Sequence, residues 1–107
     1  MLRLLKVRGH SLHPEYRDGD YVLAARVPFP ARKITAGDVV ILHQPLYGTL
    51  IKRVHKVLDD GLAFDVRGSQ IESTDSRNFG PVPISQISGK VIWHIRQHRA
   101  ERKSRLA

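Results

Sequence analysis

Ser11 sits between Gly9 and Pro14 in the run Gly9-His10-Ser11-Leu12-His13-Pro14, and Arg17-Asp18-Gly19-Asp20 follows closely. Glycine and proline at such spacing interrupt a helix, so the serine is predicted on a turn. Strand-like runs lead in (Met1 to Arg8) and out (Tyr21 to Arg26). A hydroxyl in that setting is either an ordinary loop serine or a nucleophile, and a serine nucleophile needs an adjacent base. Lys52 can supply one. It lies in Thr49 to Leu58, the longest strand candidate, where alternation puts Leu50, Lys52 and Val54 on one face and Ile51, Arg53 and His55 on the other. If the first face is buried, desolvation disfavours the ammonium and lowers the lysine pKa, leaving an amine that can accept a hydroxyl proton. Arg53 cannot do this, because a guanidinium stays charged. The plainer alternative is an exposed strand lysine with its stem along apolar neighbours.

A third stretch, Ser73-Thr74-Asp75-Ser76-Arg77-Asn78-Phe79-Gly80-Pro81-Val82, follows in order. Together the serine block, the Lys52-Arg53 pair and the Ser-x-Asp-Ser-Arg run resemble the signal peptidase I family of Ser/Lys proteases, from about Val7 to Trp93. Within it the chain is most similar to the nickel-type superoxide dismutase maturation proteases. The resemblance implies Ser11 as nucleophile, Lys52 as general base, and the Ser11 N–H as an oxyanion donor. It also implies that Ser73 orients the lysine amine and that Asp75 and Arg77 form a structural ion pair, with Ser76 a non-catalytic hydroxyl. Gly9 stands where some members carry a second oxyanion serine, and Leu12 replaces the usual methionine, a volume-conserving change. Arg67-Gly68-Ser69-Gln70 departs from the family's Gly-Asp-Asn, so no contact is assigned there.

The six histidines offer a rival. His10 and His13 flank Ser11, and His43 and His55 lie on predicted strands, but no Gly-x-Ser-x-Gly elbow and no His-Glu-x-x-His spacing occurs. No metal or cofactor is therefore expected.

The secondary structure around these groups reads as β. Asp18-Gly19-Asp20 and Ala36-Gly37-Asp38 are turn signals before the apolar runs Tyr21 to Ala25 and Val39 to Leu42. Val27 to Lys33 and Gln44 to Gly48 are predicted loops, and Asp59-Asp60-Gly61 a hairpin turn into Leu62 to Arg67. Pro81-Val82-Pro83 is expected to block a continuous strand, Ile84 to Ser88 to form one helical turn, and Gly89 to Ile95 to be the last strand. Gln97 to Leu106 favours helix without a clear apolar face.

The expected architecture is thus mainly β, a single compact domain over 1–95 with a short charged C-terminal extension over 96–107. By resemblance it is the coiled, partly open β-sheet fold of signal peptidase and LexA-like catalytic domains. A chain of 107 residues with 41% hydrophobic and 26% charged residues has the makings of one small folded core and is not disordered. Absence of cysteine excludes disulfides and thiolate chemistry. No apolar run approaches the ~20 residues that span a bilayer, and Met1 to Val7 is too weakly apolar for a signal peptide, so a cytoplasmic location is expected. Half of the +8 net charge lies in Arg96 to Ala107, without interleaved aromatics for base stacking. No nucleic acid is expected, and peripheral membrane contact through the tail stays open.

The leading functional expectation is an endopeptidase that removes an N-terminal propeptide, with a protein or peptide substrate lying along a strand edge. The resemblance suggests the nickel superoxide dismutase precursor. The alternatives are a signal peptidase acting on preproteins and a non-enzymatic basic binding module. LexA-type self-cleavage is disfavoured, because Ala36-Gly37 lies downstream of the serine and inside a turn.

Overall fold

The computed structural model describes residues 2–26, 34–70 and 73–97. The loop expected over Val27 to Lys33 lies outside them, as does all but the first residue of the stretch expected to favour helix, Gln97 to Leu106. The described residues form one seven-stranded sheet: β1 (Leu2–Lys6), β2 (Tyr21–Ala25), β3 (Val39–Gln44), β4 (Gly48–Leu58), β5 (Ala63–Arg67), β6 (Val82–Pro83) and β7 (Ile87–Ile95). Their order across the sheet is β1-β2-β7-β3-β4-β5-β6, every neighbour antiparallel. The expectation of a mainly β, single-domain fold is met.

Alternation on the central strand explains how one sheet holds two cores. Val39, Val40, Ile41 and Leu42 are all buried, but Val40 and Leu42 belong to a cluster with Val54, Phe64, Val66 and Val82, whereas Val39 and Ile41 join Val7, Leu12, Tyr16, Val22 and Ala24. Apolar side chains therefore cover both faces of β3, and burial of each large one stabilises the fold by about 1.5–3 kcal/mol. β4 divides likewise, with Leu50 and Val54 on the first cluster and Ile51 on the second.

Local sequence accounts for most boundaries. The β4–β5 hairpin turns through a 3-10 segment, Asp59–Gly61, in which Asp59 and Asp60 both take positive φ, a region aspartate tolerates better than most residues. Pro81 to Pro83 does not exclude a strand altogether. Val82 and Pro83 make a short one against Phe64 and Ala63 at the sheet edge, where a proline lacking its N–H leaves no interior ladder bond unmade. The helical turn after it is shorter than expected, Ile84–Gln86, and β7 takes over from Ile87, which is buried in the first cluster. A short α-helix, α1 (Ser76–Phe79), lies in the third sequence block. Among the described residues no helix is long and apolar enough to cross a membrane.

Candidate active site

The turn carrying Ser11 is closed at its base and anchored at its middle. The Val7 N–H donates to the Asp20 carbonyl (2.7 Å) and the Gly19 N–H to the Val7 carbonyl (2.8 Å), which ties the ends of β1 and β2 together. Leu12, 2% exposed, plugs the turn into the second core cluster beside Val7 and Tyr16. Gly9 adopts φ +83°, a conformation side chains resist, and its N–H donates to Asp18 Oδ1 (2.8 Å). That amide is engaged within the turn. The Ser11 N–H, in contrast, has no hydrogen-bond partner among the described residues.

Beneath the turn runs β4. β5 pairs only with Arg53 to Leu58, so among the described residues the first half of β4 has no strand on that side. There the Ser11 hydroxyl donates to the Ile51 carbonyl (3.1 Å). Lys52 is the next residue, opposite Val40 of β3 and only 2% exposed. Its side chain makes no hydrogen bond or ion pair with any described residue. Burial pushes its amine below the usual lysine range, while the Asp75 charge pulls it up and that of Arg77 pushes it down. Ser11 and Lys52 line one cavity of about 330 Å³, bounded by the segments Leu5 to Ser11 and Thr49 to Lys52.

The third block clamps this arrangement from outside. Asp75 is fully buried and caps α1 in a capping box with Asn78. It accepts from the Gly68 N–H (2.8 Å), the Arg77 N–H (3.0 Å) and the Arg77 guanidinium (2.6 and 3.0 Å). Burial would raise its pKa, but these donors and the Arg77 charge overcome that and hold the carboxyl at about 2. The Ser76 hydroxyl accepts from the Val66 N–H, fastening α1 to β5. Ser73 donates to the Ser11 carbonyl (3.3 Å) rather than to the Lys52 amine.

Two contacts here lay beyond the sequence reading, which assigned none to residues 68–70. The Ser69 N–H donates to the Ser11 carbonyl (2.5 Å), and Gln70 Nε2 donates to the His13 carbonyl (2.8 Å). Gly68 allows this approach. A Cβ there would stand 2.7 Å from the Ser11 carbonyl oxygen and 2.6 Å from Ser73 Cβ, and would run into Ser73 Oγ. The glycine was the available signal, since glycine within a strand-to-turn run often marks close backbone approach.

No histidine hydrogen-bonds Ser11 among the described residues; His10 and His13 instead meet edge to face at 5.7 Å. Nor do three His, Asp or Glu side chains gather there as metal ligands. Among the described residues the histidine with a carboxylate partner is His94, whose Nε2 lies 2.7 Å from Asp20 Oδ2 and whose ring stacks on Tyr16. Asp20 is 1% exposed, and burial would raise its carboxyl, but donors from Arg17, His94 and Gln97 bring it below the usual range. This pairing ties the serine turn to the last strand and had no local sequence signal, the partners being far apart in the chain.

Residues 1–64 match the family described as signal peptidase, peptidase S26. Among curated proteins the chain is 32% identical over 108 residues to mitochondrial ATP-independent inner membrane protease subunit 1b of Arabidopsis thaliana, covering 79% of this chain. It is 31% identical over 113 residues to subunit 1a, covering 83% of this chain. The matched region spans 62% of the length of subunit 1b and 67% of that of subunit 1a.

Proposed function

Because the chain belongs to the signal peptidase S26 family, we propose that it is a serine endopeptidase in which Ser11 is the nucleophile and Lys52 the general base. The observation that carries this reading is a buried lysine, without a hydrogen bond or ion pair among the described residues, lining the same cavity as a serine held on a hydrogen-bonded turn. Burial of an ammonium without a hydrogen-bond acceptor is costly, and this outweighs the pull of the Asp75 charge, so the Lys52 pKa is lowered toward the neutral amine that a base requires. The reaction follows from that state. The amine takes the hydroxyl proton as Ser11 Oγ attacks the scissile carbonyl, the free Ser11 N–H faces the developing oxyanion, and the lysine ammonium returns the proton to the leaving amine. Water then releases the acyl group by the same base. Ser73, Ser69 and Gly68 position the serine backbone, and the Asp75–Arg77 pair holds the segment that carries them. Gly9, with its amide on Asp18, acts through the shape of the turn.

The substrate is a polypeptide, laid extended between the two segments that bound the cavity. We favour removal of an N-terminal propeptide from a soluble precursor in the cytoplasm. The nickel superoxide dismutase precursor is the candidate suggested by the resemblance to its maturation proteases. A second reading is the processing of membrane-bound preproteins. It is favoured by the inner membrane protease names of the two relatives and by exposed Leu2, Leu4 and Trp93 on the sheet. The test is to incubate the protein with the soluble precursor and, separately, with a membrane preprotein, and to identify new N-termini by mass spectrometry. A new N-terminus on the soluble precursor is expected. Cleavage of the preprotein alone would overturn the maturation reading, and cleavage of neither by wild type would overturn the peptidase reading.

A further inference from the structure

A second cavity, of about 410 Å³, lies beyond the Lys52 end of the site and is lined by Gly37, Arg53, His55, Arg67, Gly68 and Ser69, with Val54 completing it. Three features of it have no explanation in the chemistry above. First, Arg53 and Arg67 are direct partners in the β4–β5 ladder, so two guanidiniums share one face of the sheet at one rung. Like charges directly opposite one another destabilise a sheet pair. Second, the register slips between Val54 and Lys56, leaving His55 as the extra residue of a bulge at the cavity wall. Bulges re-aim side chains and gather beside functional sites. Third, none of the described residues lining the cavity carries a carboxylate. Glu15 and Asp65 pair with the two arginines from outside its walls. Arg53 spends Nη1 on the Gly37 carbonyl (2.7 Å) and Nη2 on Glu15. Arg67 spends Nε and Nη2 on Asp65, and its side chain remains 38% exposed.

We propose that this cavity is a binding site for an oxyanion, a carboxylate or a phosphate. The two guanidiniums on one rung suit such a ligand, because Arg67 keeps its Nη1 end for planar N–H donation to an oxyanion and the Arg53 charge opposite adds attraction. The bound charge would also relieve the repulsion between them. The ligand has two sources, a side-chain carboxylate of a polypeptide or a free small anion. The wall shared with Ser69, whose N–H supports the Ser11 carbonyl, puts either one beside the nucleophile's scaffold.

The experiment is a titration of inorganic phosphate into the protein at fixed ionic strength, following the amide signals of Gly68 and Ser69 and the His55 ring by NMR. Saturable shifts confined to these residues are expected. Arg67→Gln should weaken the binding about tenfold, Asp65→Asn should strengthen it several-fold by freeing Arg67, and Arg3→Gln on β1 should change nothing. The opposite signs of the first two cannot come from a loss of fold. Non-saturating shifts spread over the basic surface, or equal affinities in the Arg67 and Asp65 variants, would overturn the proposal. Competition in the Ser11→Ala protein by a blocked peptide with a single Glu, but not by its Gln counterpart, assigns the site to a polypeptide carboxylate. Absence of competition assigns it to a free anion. None of these readouts needs peptide cleavage, so they stand or fall apart from the peptidase reading.

Discussion

The two residues proposed to carry the chemistry are exposed to very different tests. Ser11 loses little structurally on truncation, because its hydroxyl makes a single hydrogen bond, to the Ile51 carbonyl. Ser11→Ala should therefore stay folded, within about 1 kcal/mol of wild type, while peptide cleavage falls by on the order of 10⁴-fold or more. Retained turnover with a normal melting curve would remove Ser11 from the mechanism. Lys52→Arg keeps the charge but cannot act as a base, and should be inactive at every pH. The pH profile of kcat/KM in the parent protein should rise with a midpoint below the ordinary lysine value of about 10.4, because burial disfavours the ammonium. A profile flat from neutral into the alkaline range would contradict the general-base role. At this scale much was legible. Strand alternation alone predicted that Lys52 shares the face of Leu50 and Val54, and that face is buried. That the Ser11 turn lies on the same half of β4 was beyond local reasoning, since a hydroxyl's partner forty residues away is set by topology and not by pattern.

Among the elements, the segment from Gly68 to Phe79 is the one whose role depends most on tertiary context. The family resemblance implied that Asp75 and Arg77 pair, and the structure adds that Asp75 also caps α1 and receives the Gly68 N–H. Asp75→Ala should therefore destabilise the protein by about 3 kcal/mol, as read in urea unfolding, with cleavage lost along with the placement of Ser73. A change within a few tenths of a kcal/mol would mean the cap and the pair are dispensable. Gly68→Ala separates positioning from stability more sharply. The added methyl would collide with Ser73 and the Ser11 carbonyl, so one of those groups must move. We expect a stability loss of about 1–3 kcal/mol but a fall in kcat of about 100-fold, since small displacements of a nucleophile are amplified in rate. Wild-type kcat in the Gly68→Ala protein would show that the serine backbone need not be held. The hairpin and both glycine-marked turns before β2 and β3 were readable from turn chemistry. The start of β7 was not, because Ile87 joins the ladder only through β3, opposite Leu42, and Ser88 is the unpaired residue of the bulge that follows.

For the whole molecule, the buried titratable groups fix how stability depends on pH, and they act in opposite windows. Asp75, held at about 2 against an ordinary 3.8, and Asp20, also lowered, bind fewer protons folded than unfolded in acid. Their contribution is present above the ordinary carboxylate value and is lost as pH falls through the folded one. Lys52 has the reverse chemistry but the same slope. Its folded pKa is lowered, so between that value and the ordinary 10.5 the unfolded chain holds a proton that the native state does not. Stability should consequently rise with pH across that interval. Tyr16 opposes this at the alkaline end. Burial raises its phenol above 10.0, so its share is lost as pH climbs through the raised value, and the Lys52 effect is best read below pH 10. The decisive comparison is urea unfolding of wild type and Lys52→Met from pH 6 to 10. Methionine keeps the length of the stem among Leu50, Val54 and Val40 while removing the ionisable group. The variant should be the more stable of the two at the acid end of that range, and the difference should shrink steadily as pH rises. Parallel curves would mean that Lys52 titrates alike in both states, and with that the buried neutral amine on which the proposed catalysis depends would be gone.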